Sequence, residues 1–199
     1  GGVFYTTDES FHYPGRRFAD RGKPFGIENA SGNVVAGLNC NLNELSAAIG
    51  IVQLEKLPES IERRVSFARG LSDALETESR AVRLGRTADG AESVYWFLRL
   101  RLDTEAVGLD KQQFCDALAA EGIPVNPSYR HIPVEMPWFR DQATFGLSGF
   151  PWQSSDYTGE RNPVYEPPNA VRATEEHFNI PINERYGERE ISDIVAAIS

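Results

Sequence analysis

Residues 37–57 read GLNCNLNELSAAIGIVQLEKL and combine a Gly-x-Asn turn, a helix start and an apolar helix face. Asn43 is the type of residue whose side-chain oxygen caps a helix N-terminus. Leu45, Ile49 and Val52 follow it at the spacing that places side chains on one face of a helix. This stretch therefore predicts a turn that leads directly into an amphipathic helix.

The helix is predicted to continue well beyond this stretch. Pro58 fits the first turn of a second helical segment or a kink. An apolar face follows the proline and consists of Ile61, Val65, Ala68, Leu71 and Leu75. The opposite face is charged and carries Glu62, Arg63, Arg64 and Asp73. We expect one long helix over residues 43–78, of the kind that connects two domains.

The segment before this helix has mixed character. Residues 3–7 have strong strand propensity. Residues 9–21 predict a short helix or turn, which Pro14 and Gly15 weaken. Residues 22–36 are rich in Gly and Asn and predict a loop.

An α/β pattern follows the long helix. Strands are predicted at residues 80–84, 93–102, 123–125 and 178–181. Helices are predicted after the capping-box pair Asp110 and Gln113, over residues 169–177, and at the chain end through Ile191, Ile194, Val195 and Ile198. Gly122 is expected to end the first of these helices. Residues 126–170 are rich in Pro, Gly, Trp and Tyr and predict a long functional loop or insert.

Composition narrows the classes of function. The 199 residues include 41% hydrophobic and 25% charged residues, which is ordinary for a globular protein. The net charge of −9 argues against non-specific nucleic-acid binding. No apolar run approaches the length of a membrane span. Cys40 and Cys115 form no disulfide framework, and the scattered histidines make no metal motif, so we expect a cytoplasmic protein without a metal site.

Three parts of the sequence resemble one enzyme family, the DegT/DnrJ/EryC1/StrS sugar aminotransferases. The central stretch is similar to the family pattern G-x-N-x-R-x-x-E-x-x-A-A-x-x-x-x-Q-L. The matching residues are Gly37, Asn39, Glu44, Ala47, Ala48, Gln53 and Leu54. Residues 1–8 (GGVFYTTD) resemble the strand that follows the family's cofactor lysine, and Ile180-Pro181 with the closing helix resembles its C-terminal end.

This resemblance implies the fold and the reaction. The fold would be α/β, the C-terminal part of a pyridoxal 5'-phosphate (PLP) dependent transferase of the aspartate aminotransferase type, fold type I. Residues 1–42 would end the large PLP-binding domain, residues 43–78 would form the connecting helix, and residues 79–199 would form a small α/β domain. The enzyme would move an amino group from glutamate or glutamine to a keto-sugar, such as a nucleotide sugar, or to a cyclitol ketone. It would act as a homodimer with shared active sites.

The resemblance assigns no catalytic residue to this chain. The abrupt start at GGVFYTTD leads us to expect a longer parent, whose cofactor lysine would precede Gly1. Lys23, Lys56 and Lys111 are not placed like that lysine.

Two asparagines in the central stretch are candidate binding residues. By the resemblance, Asn39 would reach the PLP phosphate of the partner subunit, since an amide N–H suits a phosphate oxygen. An Asn can equally support a tight turn before a helix. Asn41 stands where many family members have Arg, and an Asn cannot clamp an anion with two parallel hydrogen bonds. Three interpretations stay open: Asn41 contacts a less charged substrate such as a cyclitol ketone, another cation has taken over the role of the Arg, or Asn41 simply begins the helix in solvent.

A second group of candidates lies in the long loop. Residues 126–133 fall where the family presents a substrate loop, and the match to its Y-x-P-L-H pattern is imperfect. Tyr129, Arg130 and His131 offer a stacking, a cationic and a proton-transfer group for substrate binding, although ordinary loop polarity explains each alone. Nearby aromatic residues suit a sugar ring, a core or a subunit interface, namely Trp138, Phe139, Phe150, Trp152 and Tyr157.

Two other functions remain open from the sequence. A dehydratase of the same fold would process keto-sugars with an altered cofactor lysine. A module without catalytic activity would act in assembly or binding.

Overall fold

The computed structural model describes residues 2–144 and 148–199. The chain divides into two compact units, Gly1–Glu59 and Ser60–Ser199. The predicted domain limits at residues 42 and 78 remain a prediction, since the long helix passes through the division. Among the described residues, no helix is long and apolar enough to cross a membrane.

In the first unit, described residues that form neither helix nor strand lead into a helix, α1 (Glu9–Ala19). Asp8 caps this helix, because its Oδ1 accepts from the Ser10 N–H over 2.8 Å. The predicted strand at residues 3–7 is wrong. Residues with strand propensity form a strand only beside a neighbouring strand, and no described residues supply that neighbour here. The Phe4 ring instead lies against α1, where a Cβ added to Gly15 would come within 2.6 Å of it.

The predicted long helix is confirmed as α2 (Glu44–Glu78). Asn43 caps it as expected, with Oδ1 accepting from the Ser46 N–H over 2.8 Å. The two ends of this helix differ in burial. Leu45 and Leu54, near the start, are 73% and 67% exposed, whereas Leu71, near the end, is fully buried.

An antiparallel sheet organises the second unit. Its strands are β1 (Val82–Leu84), β2 (Phe97–Leu102) and β3 (His177–Pro181), in the order β1-β2-β3. Leu98 pairs with Ile180 across β2 and β3. The sequence FLRLRL of β2 alternates buried leucines with exposed arginines, so one face of the sheet is apolar and the other is polar.

The core lies on the apolar face of the sheet. Two further helices contribute to it, α4 (Lys111–Ala120) and α7 (Glu188–Ile198). The short helix α3 (Thr104–Val107) precedes α4. The core side chains from helices and strands include Phe67, Leu71, Leu75, Leu98, Leu100, Phe114, Leu118, Phe178, Ile180 and Ile194. Burial of this apolar surface is the main stabilising term for the unit.

Local sequence signals explain the ends of α4. The predicted capping box is confirmed: Asp110 Oδ1 accepts from the Gln113 N–H, and Gln113 Oε1 accepts from the Asp110 N–H. Gly122 follows the helix with φ +86°, a left-handed conformation that favours glycine. The predicted strand at residues 123–125 is wrong, since only an isolated bridge pairs Asn126 with Asn179. Pro124 has no N–H to give to a strand ladder.

The predicted loop at residues 126–170 contains little regular structure. It holds a single 3₁₀ turn (Pro133–Glu135) and α5 (Pro137–Arg140), and residues 145–147 lie outside the described part. The predicted helix that follows is confirmed as α6 (Pro168–Glu176), which leads directly into β3.

Candidate functional site

The Gly-x-Asn turn forms a strap along the C-terminal end of α1. Leu38 N–H donates to the Phe18 carbonyl and Cys40 N–H donates to the Ala19 carbonyl, both over 2.8 Å. Arg21 N–H returns a bond of 2.8 Å to the Leu38 carbonyl. These bonds satisfy backbone groups at the helix end and fix the strap, residues 37–41, in place.

Gly37 is required by the close approach of this strap. A Cβ at Gly37 would lie 2.7 Å from both the Gly22 nitrogen and the Phe18 carbonyl oxygen. No side chain fits at such distances from backbone atoms. The glycine of the family pattern therefore has a packing reason in this chain.

Asn39 lies at the exposed centre of the strap. Its backbone forms an isolated bridge with Asp20. Its Oδ1 accepts from the Asn41 N–H over 3.4 Å. Its Nδ2 has no hydrogen-bond partner among the described residues, so this N–H group can donate to a ligand oxygen.

Asn41 belongs to a polar cluster around Asp20. Asn41 Nδ2 donates to Asp20 Oδ1 over 2.9 Å, and Lys23 Nζ donates to Asp20 Oδ2 over 2.7 Å. Arg21 donates to Asp20 Oδ1 through Nη2 over 2.9 Å. These donors, Lys23 first, hold the pKa of Asp20 at about 2, below its ordinary 3.8. The Asn41 side chain is thus an uncharged hydrogen-bond partner of Asp20.

Arg130, in the second unit, is engaged by neighbouring side chains. It donates two hydrogen bonds to Glu135, from Nη2 to Oε1 over 2.8 Å and from Nε to Oε2 over 3.2 Å. Its Nη1 also donates to Thr174 Oγ1 over 3.0 Å. Glu135 therefore compensates the positive charge of Arg130, which the sequence analysis considered for substrate binding.

Tyr129 stands between other rings. Its ring centroid lies 5.1 Å from that of Phe97 and 5.0 Å from that of His131, in tilted and edge-to-face arrangements. Arg99 also contacts this group, with its Cζ 5.5 Å from the Tyr129 centroid. The sequence analysis did not select Arg99, although the alternation in β2 places it on the polar face.

Some of the candidate aromatic residues form a cavity of about 330 Å³. Phe139 and Trp152 line it together with Tyr165, which the sequence analysis did not name. Phe139 meets both rings edge to face, at centroid distances of 5.3 and 5.8 Å. Phe150 and Tyr157 are not among its lining residues.

The lysines of this chain have structural partners or lie on an open helix surface. Lys23 pairs with Asp20. Lys111 Nζ donates to the carbonyls of Thr174 and His177, and burial lowers its pKa. Lys56 lies on the exposed first half of α2.

Comparison with known proteins identifies the family of this chain. The sequence profile described as the DegT/DnrJ/EryC1/StrS aminotransferase family matches residues 1–199. The chain belongs to this family. The resemblance seen in the sequence is therefore confirmed.

Relatives of known name agree with this membership. The chain is 32% identical to a dTDP-4-dehydro-2,3,6-trideoxy-D-glucose 4-aminotransferase of Saccharopolyspora spinosa, over 70% of this chain and 38% of that protein. Among solved structures, a DegT DnrJ EryC1 StrS aminotransferase from Brucella abortus superposes with a TM-score of 0.69 at 19% identity, over 98% of this chain and 44% of the other. The E. coli GDP-4-keto-6-deoxy-D-mannose-3-dehydratase with bound hydrated PLP gives a TM-score of 0.68 at 20% identity, over 98% of this chain and 49% of the other.

These similarities confirm the predicted fold class. The chain has an α/β structure that corresponds to part of the PLP-dependent aminotransferase fold, fold type I. It spans 38% of the length of the Saccharopolyspora spinosa relative.

Proposed function

We propose that this chain is part of a PLP-dependent aminotransferase that moves an amino group from glutamate or glutamine to a keto-sugar or a cyclitol ketone. The observation that carries the proposal is the strap at Gly37 and Asn39, within a chain that matches the family along its whole length. Its fixed backbone presents an exposed amide with an uncommitted Nδ2.

The residues of the strap fit a phosphate-bearing cofactor. PLP, when bound, supplies the electron sink for amino transfer, and the protein supplies position and proton transfer. Asn39 would donate from Nδ2 to an oxygen of the PLP phosphate, and its bond to the Asn41 N–H would hold the amide in orientation. Gly37 would allow the strap to lie close enough to α1 to fix that position.

Substrate contacts are proposed separately for groups of each unit. Asn41, bound to Asp20 through Nδ2, would offer its neutral amide oxygen to a hydroxyl of the acceptor. Tyr129 and His131 would stack on and hydrogen-bond to a ring, and Arg130 would take part through its pair with Glu135. The relative from Saccharopolyspora spinosa is named for a dTDP-sugar, which supports a nucleotide sugar as acceptor.

The active assembly would be a cytoplasmic homodimer. Apolar side chains at the start of α2 are exposed, including Leu45, Ile49 and Leu54. Such a surface favours a further packing partner, either a second copy or other parts of the enzyme. Sedimentation of the longest polypeptide that contains these residues tests the dimer.

A PLP titration tests the role of Asn39. In the longest polypeptide that contains this chain, Asn39→Ala should weaken PLP binding by roughly 10- to 100-fold, because one hydrogen bond to a charged group is lost. Asn33→Ala is the matched control, since Asn33 is an exposed asparagine of the same unit outside the strap. Equal PLP affinity of Asn39→Ala and the parent would contradict the role.

Product analysis separates the reaction classes. The structural similarity to the E. coli dehydratase keeps dehydration as the second candidate. The longest polypeptide that contains this chain is incubated with PLP, glutamate and a nucleotide keto-sugar. It should yield an aminated sugar if the chain belongs to an aminotransferase. A deoxygenated sugar would favour the dehydratase, and the absence of PLP binding in the parent would favour a module without catalytic activity.

A further inference from the structure

We propose that Arg99 is the centre of an oxyanion-binding site on the polar face of the sheet, which takes a carboxylate or a phosphate group. Its guanidinium Cζ lies 5.6 Å from the Phe97 ring centroid and 5.5 Å from that of Tyr129. Its Nε donates to Asn179 Oδ1 over 3.2 Å. Two rings and one amide therefore position a cation on the exposed surface.

Arg99 differs from the other arginines of the sheet in its partners. Arg101 forms an ion pair of 2.9 Å with Glu176. Arg83 donates to the carbonyls of Leu75 and Val82. Within the described residues, the terminal nitrogens of Arg99 have no acceptor, so its charge is left for a ligand.

Asn179 fixes this arginine at a cost to the fold. It is only 3% exposed, and its backbone N–H and carbonyl are both bonded to Asn126, over 2.9 and 2.8 Å. Because Oδ1 must accept from Arg99, the amide orientation is set, and Nδ2 finds no acceptor in the part of the chain that the structure describes. A buried donor without a partner is costly and calls for a specific reason, and the bond from Arg99 to Oδ1 supplies one.

The terminal nitrogens of the Arg99 guanidinium are suited to bind an oxyanion. With Nε committed to Asn179, the two terminal nitrogens of Arg99 remain as parallel donors, which match the two oxygens of a carboxylate or phosphate. The same face carries Arg101 and, on β3, His177, whose pKa is lowered by burial and also by both arginines. Because Arg101 is paired with Glu176 and the pKa of His177 is lowered, Arg99 carries the uncompensated positive charge among these three side chains.

The site stands independently of amino transfer. A carboxylate would come from an amino acid such as glutamate, and a phosphate would come from a nucleotide. Both present the same oxygen geometry to Arg99, so the two sources are arms of one experiment. A failure of the PLP titration of Asn39 would leave the binding described here unaffected.

NMR titration of the ¹⁵N-labelled 199-residue chain tests the site. The Arg99 Nε–H signal, assigned by its loss in Arg99→Met, is followed during addition of sodium phosphate, monosodium glutamate or sodium chloride at matched ionic strength. We expect a saturable shift with phosphate, with glutamate or with both, and none with chloride. Saturation with one salt alone identifies the source, whereas no saturable shift with either salt would overturn the proposal.

Variants separate a built site from general charge. Arg99→Lys keeps the charge but removes the parallel donors and should weaken binding by about tenfold or more, read from the Asn126 and Asn179 amides. Arg86→Met is the matched control, because Arg86 is an exposed arginine that pairs only loosely with Asp89, over 3.5 Å. If Arg86→Met weakened binding as much as Arg99→Lys, the response would be due to net charge and the proposal would be wrong. Should Arg99→Met fail to fold, the Arg99→Lys comparison still decides.

Discussion

Asn41 donates from Nδ2 to Oδ1 of Asp20 over 2.9 Å, which links the start of α2 to the end of α1. Lys23 and Arg21 donate to the same carboxylate. The four side chains form one network in which the partly buried Asp20 is the common acceptor.

The ionisation of Asp20 should respond to these donors in order of strength. Because Lys23 is the largest cause of its lowered pKa, Lys23→Met should raise the pKa of Asp20 towards 3.8 further than Asn41→Ala does. The folded-state pKa of about 2 lies below the ordinary value. Any stability from this network is therefore present above pH 3.8 and is lost as the pH falls through about 2.

Carbon-13 NMR of the Asp20 carboxyl carbon measures this order. The signal is followed towards low pH for as long as the amide spectrum stays native. A larger rise of the pKa in Asn41→Ala than in Lys23→Met would contradict the expected order.

Substitution of Gly37 should disrupt the strap. In Gly37→Ala the new Cβ would lie 2.7 Å from the Gly22 nitrogen and the Phe18 carbonyl oxygen, so the strap must move away from α1. We expect a loss of about 1–3 kcal/mol in the free energy of unfolding of this unit. Faster hydrogen exchange at the Leu38 and Cys40 amides would report the movement, since both donate to α1.

Gly32→Ala is the matched control for this prediction. A Cβ at Gly32 would meet no atom within 4 Å, and we expect little change in stability or a slight gain. Equal exchange rates in the two variants would contradict the packing role of Gly37.

Local features of the fold could be predicted because their partners are close in sequence. Asn43 caps α2 through a residue three positions away, and Asp110 and Gln113 form their capping box over the same distance. The alternation of β2 likewise predicts the buried Leu98 and the exposed Arg99. Such patterns need no knowledge of the rest of the chain.

Features that depend on distant residues could not be predicted. Arg99 finds Asn179 at a separation of 80 residues, and no local pattern announces that contact. The sequence presents Arg130 as a cationic group or as ordinary loop polarity, and its bond to Thr174, 44 residues away, could not be predicted because it depends on the placement of α6. The strand expected at residues 3–7 failed for a related reason, since a strand depends on a neighbour that local propensity does not provide.

The pair of Arg130 and Glu135 should contribute modestly to stability. The two side chains are 44% and 35% exposed, so solvent screens their attraction. A double-mutant cycle of Arg130→Ala and Glu135→Ala should give a coupling free energy of roughly 0.2–1 kcal/mol in urea unfolding. A coupling of zero would mean that Arg130 is not held by Glu135 and is free to meet a substrate.

The two cysteines should differ sharply in reactivity. Cys40 is exposed on the strap, whereas Cys115 lies on α4 and is buried within the core. Burial raises the pKa of Cys115 to about 11 from its ordinary 9.0, and nearby Lys111 opposes this shift only in part. Because the thiolate is the reactive form, a disulfide reagent at about pH 8 should modify Cys40 quickly and reach Cys115 only when the unit opens. The raised pKa also means that the unfolded chain loses this proton first, so its contribution to stability is full below pH 9.0 and declines as the pH rises towards about 11. Cys40→Ser should abolish the fast phase and leave one slow thiol, whereas two fast thiols in the parent chain would contradict the burial of Cys115.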